Sequence, residues 1–146
     1  MPTDVQWSPA SGPDDLVFAR ALARRTMMPY YTRHGLLWRD QDFDAGWQGR
    51  ENYHLQVAGQ PVGFISLSQD AQALYVREIH LLENARGRGH GGGVLAAVFA
   101  LARHRQLPLV RLTVFKDNPA QWLYARTGFA RVGEEGCFWR MERTSG

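Results

Sequence analysis

The chain has 146 residues, of which 45% are hydrophobic and 12% aromatic, enough to bury a core and outside the range of disordered chains. Its longest apolar stretch, Val94 to Ala102, is too short to span a bilayer, and the single cysteine, Cys137, permits no internal disulfide. The net charge of +3 fits either an ordinary basic surface or an anionic ligand; with no long basic tract it does not argue for nucleic acid.

Met1 to Val5 lacks a basic segment followed by an apolar one, so no leader is read there and a cytoplasmic protein is expected. Asp14 to Arg25 carries apolar residues at helical spacing behind Pro13 and two acids, and Pro29 is expected to close that helix. Tyr30 to Trp47 reads as a second helix or helix pair, with Asp40, Asp42 and Asp44 as a solvated loop or helix start. Tyr53–Ala58 and Val62–Leu67 are short strand-like runs around Gly59-Gln60-Pro61, a hairpin. Ala73–Leu82 is a further strand, followed by a glycine turn and a helix to about Arg105.

Leu109–Phe115 is β-branched and apolar, a buried strand. Asn118-Pro119 suits the start of a short helix, and Gly128 suits its left-handed end. Phe129–Val132 and Cys137–Met141 read as a closing pair of strands, with Trp38, Trp47 and Trp139 expected in the core. The order α-α-β-β-β-α-β-α-β-β is one α/β domain over residues 1–146, without repeat or linker.

Residues 86–91 read Arg-Gly-Arg-Gly-His-Gly between an apolar strand and an apolar helix. Such a turn lets consecutive backbone N–H groups converge on one anion, aided by the helix dipole and by Arg86 and Arg88. Missing side chains let a phosphate approach the backbone. A Walker A loop would need Lys-Ser/Thr after its last glycine, and Gly92-Gly93-Val94 stand there instead. The glycines are also too dense for a dinucleotide fingerprint.

Leu74 to Gly91, with Arg86, Gly89 and Gly91 on the signature Gln/Arg-x-x-Gly-x-Gly/Ala, resembles the acetyl-coenzyme A motif of the GNAT N-acetyltransferase superfamily. A second block from Leu112 to Phe129 is similar to another stretch of that family, carried by Val114, Asn118, Ala120, Tyr124 and Gly128-Phe129. The resemblance covers roughly residues 53–142. It implies a single GNAT-like domain with a mixed, mostly antiparallel central sheet of about six to seven strands. About four helices would flank it, and the fourth and fifth strands, Ala73–Leu82 and Leu109–Phe115, would splay apart.

The cofactor implied is acetyl-CoA as co-substrate, with no metal. Its pantetheine arm would pair with backbone near Ile79, His80 and Leu81. Its pyrophosphate would sit on Arg86, Gly87, Arg88, Gly89, His90 and Gly91. Asn118 and Tyr124 would also contact it, Asn118 doubling as helix cap. The chain departs from the pattern at His90, where an aliphatic residue is usual, and at Gly92 and Gly93, where Ser, Thr or a basic residue is common. Each glycine in a first helical turn costs about 0.5–1 kcal/mol relative to alanine.

An attacking amine must lose a proton, so a base is needed, directly or through water. Glu78 and His80 have the same strand parity and project to one face; either can serve, and Glu78 falls on the family's frequent acidic position. Tyr124 matches the family's tyrosine that returns a proton to the leaving thiolate, although Ala120, Leu123 and Tyr124 also share a helix face suited to core packing. Met28, Tyr30 and Tyr31, between the first two helices, are candidates to face the acceptor. Cys137, in a late strand far from the turn, argues against a covalent acyl-cysteine route.

The function implied is transfer of an acetyl group to a primary amine of a small molecule or peptide, directly within a ternary complex. The alternative is a non-catalytic acyl-CoA-binding module of the same fold. No nucleic-acid or membrane partner is expected, and a homodimer is left open.

Overall fold

The computed structural model describes residues 4–146; residues 1–3, part of the stretch read above as carrying no leader, lie outside the described residues. The elements in order are β1 (Gln6–Pro9), α1 (Pro13–Arg33), α2 (Asp40–Gln48), β2 (Glu51–Val57), β3 (Gln60–Gln69) and β4 (Ala73–Leu81). A 3-10 turn (Glu83–Ala85) leads to α3 (His90–His104), β5 (Leu109–Phe115), α4 (Ala120–Arg126), β6 (Ala130–Glu135) and β7 (Phe138–Thr144). The strands form one seven-stranded sheet in the order β1-β2-β3-β4-β5-β7-β6, antiparallel except where β4 meets β5. Among the described residues no helix is long and apolar enough to cross a membrane.

The sheet is covered on both faces. Alternation along β3 sends Ile65 and Leu67 to one face, against Val94, Leu95 and Val98 of α3 and Tyr124 of α4. It sends Phe64 to the other, against Leu22 and Ala23 of α1 and Trp47 of α2. Fully burying one such side chain contributes about 1.5–3 kcal/mol. Trp47 is buried as expected, whereas Trp38 and Trp139 are only partly buried against these clusters.

Three sequence expectations need correction. β1 was not foreseen; at four residues, paired only with β2 at the sheet edge, it is too short to show a period. Pro29 does not close the first helix, which continues to Arg33. An interior proline removes one hydrogen bond and costs about 3 kcal/mol. Here the turn beyond it is held by Tyr30 and His34, each stacked on Phe115 at 5.3 Å between ring centroids. Third, Cys137 belongs to the turn between β6 and β7, not to a strand.

Other expectations hold closely. β5 has the predicted limits, and Asp40 and Asp42 do open α2. The Asn118 side-chain oxygen accepts the Ala120 N–H at 2.9 Å at the start of α4. At its other end Gly128 takes φ +102°, with Phe129 N–H donating to the Tyr124 carbonyl and Gly128 N–H to that of Ala125, a Schellman ending.

The parting of β4 and β5 creates the site. They pair only at Ala73–Leu109, Leu74–Val110 and Tyr75–Arg111. Just beyond, β4 carries an extra residue, Arg77, since Leu67 pairs with Val76 and Ser66 with Glu78. Such a bulge bends a strand and raises its twist, while β5 keeps an unbroken register with β7. The closed end of the V is fastened by Arg111, which donates to Glu142 at 2.7 Å and to the Tyr75 hydroxyl at 2.9 Å. Tyr75 in turn donates to Asp70.

Candidate active site

The V opens into a cavity of about 850 Å³. Residues 76–81 of β4 form one wall, residues 112–115 of β5 and the start of α4 the second. The C-terminal part of α1, residues from α2, and Phe138 close the third. The His80 carbonyl lies so close to Gly63 that a Cβ there would collide with it. Since amides alternate sides along a strand, those of Ile79 and Leu81 turn toward the open V. The outward Leu81 carbonyl already accepts Arg86 Nε at 3.1 Å.

The glycine turn continues this backbone surface. Arg86 N–H donates to the Glu83 carbonyl and Gly93 N–H to that of Gly89. Between them, the N–H groups of Gly87 to Gly92 donate to no backbone carbonyl among the described residues. Gly87 (φ +73°) and Gly89 (φ +81°) adopt a conformation that costs other residues roughly 1–2 kcal/mol. Nothing approaches within 4 Å of a Cβ built on Gly92 or Gly93, so space lies open over the exposed amides. At Gly91 a Cβ would come within 2.9 Å of Leu123 Cδ2, which makes this glycine the joint between turn and α4. Free N–H groups at a helix start, an open approach and two arginines fit a pyrophosphate.

Glu78 and His80 come together as their parity predicts: Glu78 Oε1 and His80 Nε2 are 2.8 Å apart. His80 is 6% exposed and stacked on Phe64 at 5.3 Å, while the Glu78 side chain retains 23% exposure. The histidine is thus the buried, oriented member of the pair, and the carboxylate is the reachable one. Across the cavity, Tyr124 is buried and its hydroxyl has no hydrogen-bond partner among the described residues. Burial, and secondarily the negative charge of Glu78, pushes its phenol up to about 12.

Ile79, His80, Leu81, Arg86, Gly91, Asn118 and Tyr124 all line the cavity, as do Tyr30 and Tyr31. Gly87, Arg88 and Gly89 stand on the turn beyond its wall, and His90 opens α3 there. Met28 is a correction. It faces away, into a groove with Val17, Arg20 and Arg24, because α1 remains helical through Pro29 and turns that side chain to the other flank. Thr26 and Met27 take the cavity-facing positions instead.

Sequence reasoning missed the cluster that packs around Tyr30 and Tyr31. Phe115 receives Tyr30, Tyr31, His34 and Phe138, the last at 4.3 Å between centroids. Asp117 joins the end of α1 to the loop after β5, accepting Arg33 Nε and facing His34 Nε2, both at 2.9 Å. The His34 hydrogen bond, then that of Arg33, holds the Asp117 carboxyl below the usual carboxylate range. Buried Gln121 stiffens the same loop by donating to the carbonyls of Lys116 and Asn118. The partners from α1 lie more than eighty residues from Phe115 and Asp117 along the chain, so no local signal marks those contacts. Among the described residues no three His, Cys, Asp or Glu side chains converge as a metal site would require.

Comparison with known proteins agrees with this geometry. A family model described as acetyltransferase (GNAT) family matches residues 19–129. The PaiA N-acetyltransferase of Thermoplasma acidophilum, in complex with coenzyme A, superposes with a TM-score of 0.73 at 15% identity, covering 97% of this chain and 99% of that one. A GNAT family acetyltransferase from Elizabethkingia anophelis with acetyl-CoA bound gives 0.70 at 16% identity, over 97% and 98% of the two chains. Spermidine N-acetyltransferase from Vibrio cholerae, in complex with CoA and spermine, gives 0.73 at 16%, over 97% and 96%. At such identities the structural likeness establishes the fold alone.

Proposed function

The chain belongs to the GNAT acetyltransferase family, and from that membership we propose that it is an N-acetyltransferase. It moves an acetyl group from acetyl-CoA to a primary amine of a small molecule or peptide, directly, with both substrates bound. One observation carries this reading: the Glu78–His80 pair and the Tyr124 hydroxyl enter one cavity from different walls.

Bound acetyl-CoA supplies an activated thioester and a thiolate leaving group. The rest falls to this chain. The free N–H groups of Gly87 to Gly92, with Arg86 and Arg88, hold the pyrophosphate, each charge-assisted bond contributing about 1.5–3 kcal/mol before desolvation. The Ile79 and Leu81 amides, unpaired on the β5 side, pair with the pantetheine arm and orient the acetyl group. Asn118, whose side-chain oxygen is committed to Ala120, has its NH₂ group left to donate.

Glu78 takes the proton of the incoming ammonium, directly or through water, while His80 fixes the carboxylate from behind. His80 is therefore a positioning residue. Tyr124 gives its proton to the departing sulfur; a phenol pushed up to about 12 still holds that proton at neutral pH. General acid–base steps of this kind contribute roughly 10²–10⁴-fold.

The test is release of free thiol from acetyl-CoA in the presence of a broad amine panel, with the acetylated products identified by mass. Amine-dependent thiol release is expected. A protein that binds acetyl-CoA but acetylates nothing in the panel is the non-catalytic module instead.

A further inference from the structure

Arg50 stands between α2 and β2, half-buried, and lines the same cavity as Asp42, Phe43 and Glu78. Arg20, Arg33, Arg105 and Arg111 each have a carboxylate within 3.2 Å. Arg50 has none within 4.0 Å among the described residues, and its guanidinium donates no hydrogen bond there. Burial lowers its pKa, the direction expected of a cation short of counter-charge, and the charge of Glu78 offsets only part of this.

The surroundings leave room for that group. Gly46 lies inside α2, where glycine costs about 0.5–1 kcal/mol, and a Cβ there would lie 3.1 Å from Arg50 Cζ and Nη2. The guanidinium packs against bare helix backbone with its donors unspent. An uncompensated, partly desolvated cation is unfavourable unless a ligand supplies the anion.

We propose that Arg50 binds a carboxylate of the acceptor, so that the substrate class is an amino acid, whose ammonium group reaches Glu78 while its carboxylate pairs with the guanidinium. This rests on the acetyltransferase reading and narrows it. The cavity lining carries both signs, Arg33, Arg50, Arg77 and Arg86 together with Asp42, Glu78 and Glu83, which matches a zwitterion and disfavours a polycationic amine. A planar fork suits bidentate carboxylate binding.

The test compares alanine, leucine, phenylalanine and glutamate with their amides and with the amines lacking the carboxylate. Both acetyl transfer and equilibrium binding of the corresponding N-acetyl compounds are measured, on the intact protein and on Arg50→Met and Arg50→Lys. The expected result is a preference of about tenfold to a hundredfold for one or more of the free acids, collapsing in Arg50→Met and partly kept in Arg50→Lys. KM for acetyl-CoA should not move in either variant. Equal binding of acids and amides, no binding of any acid, or a preference that survives Arg50→Met overturns the inference. If amines are still acetylated in that case, the acetyltransferase reading stands. Conversely, Arg50-dependent binding of acids with no transfer to any of them overturns only the acetyltransferase reading.

Discussion

The two halves of the cavity are made of different material. The half formed by β4 is backbone: amides of Ile79 and Leu81 left over by the splay, continued beyond the cavity wall by six N–H groups from Gly87 to Gly92. The other half is side chain, a cluster of Tyr30, Tyr31, Phe115 and Phe138 backed by His34 and held by Arg33 and Asp117. Backbone presents the same donors whatever the sequence, so it suits a ligand that never changes. Side chains are replaceable one at a time, so they suit the partner that differs from protein to protein.

Tyr124 stands where the halves meet, and its loss should break the site most severely. Tyr124→Phe is expected to lower kcat about 10²–10³-fold with KM for acetyl-CoA within about twofold, checked by steady-state thiol release. Proportionate loss of cofactor binding would instead assign Tyr124 to the backbone half.

The same phenol sets an alkaline limit on the fold. Unfolded, it ionises near pH 10; folded, burial keeps it protonated to about 12. Its contribution is fully present below pH 10 and is lost as pH rises toward 12, on the order of 2–3 kcal/mol. Denaturant titrations across pH 9–12 should fall steeply for the native chain and more shallowly for Tyr124→Phe.

Gly89→Val addresses the backbone half alone. Forcing a β-branched residue into φ +81° costs roughly 1–2 kcal/mol locally and should disturb the free amides. KM for acetyl-CoA is expected to rise about tenfold or more, with little change in acceptor preference. An acceptor effect of equal size would dissolve the distinction between the halves.

Asp117→Asn should give the smallest effect, confined to the other half. Removing the charge loosens the end of α1, raising acceptor KM a few-fold and leaving acetyl-CoA untouched. The hydrogen bonds of His34 and Arg33 hold the Asp117 carboxyl low, so its stabilising tie is present above the ordinary carboxylate pKa and lost as pH falls through the depressed one. An acceptor KM independent of pH in the acid range, in the native chain, would sink this account.

What could be read from the chain alone follows from the same division. The turn from Arg86 to Gly91, the strand Leu109–Phe115, the capping Asn118 and the closing Gly128 are local devices, each written in consecutive residues. Strand parity likewise places Glu78 beside His80. Longer-range matters were not legible: that α1 runs on through Pro29, that Met28 therefore turns outward, that a four-residue β1 finds an edge. Each depends on a stacking partner or a neighbouring strand far along the chain, whose energy outweighs the local preference. Local chemistry determined where the backbone is bare and an anion can rest. Only tertiary packing decided which side chains face it, because Phe115, Asp117 and Arg50 acquire their roles from residues that meet them in space.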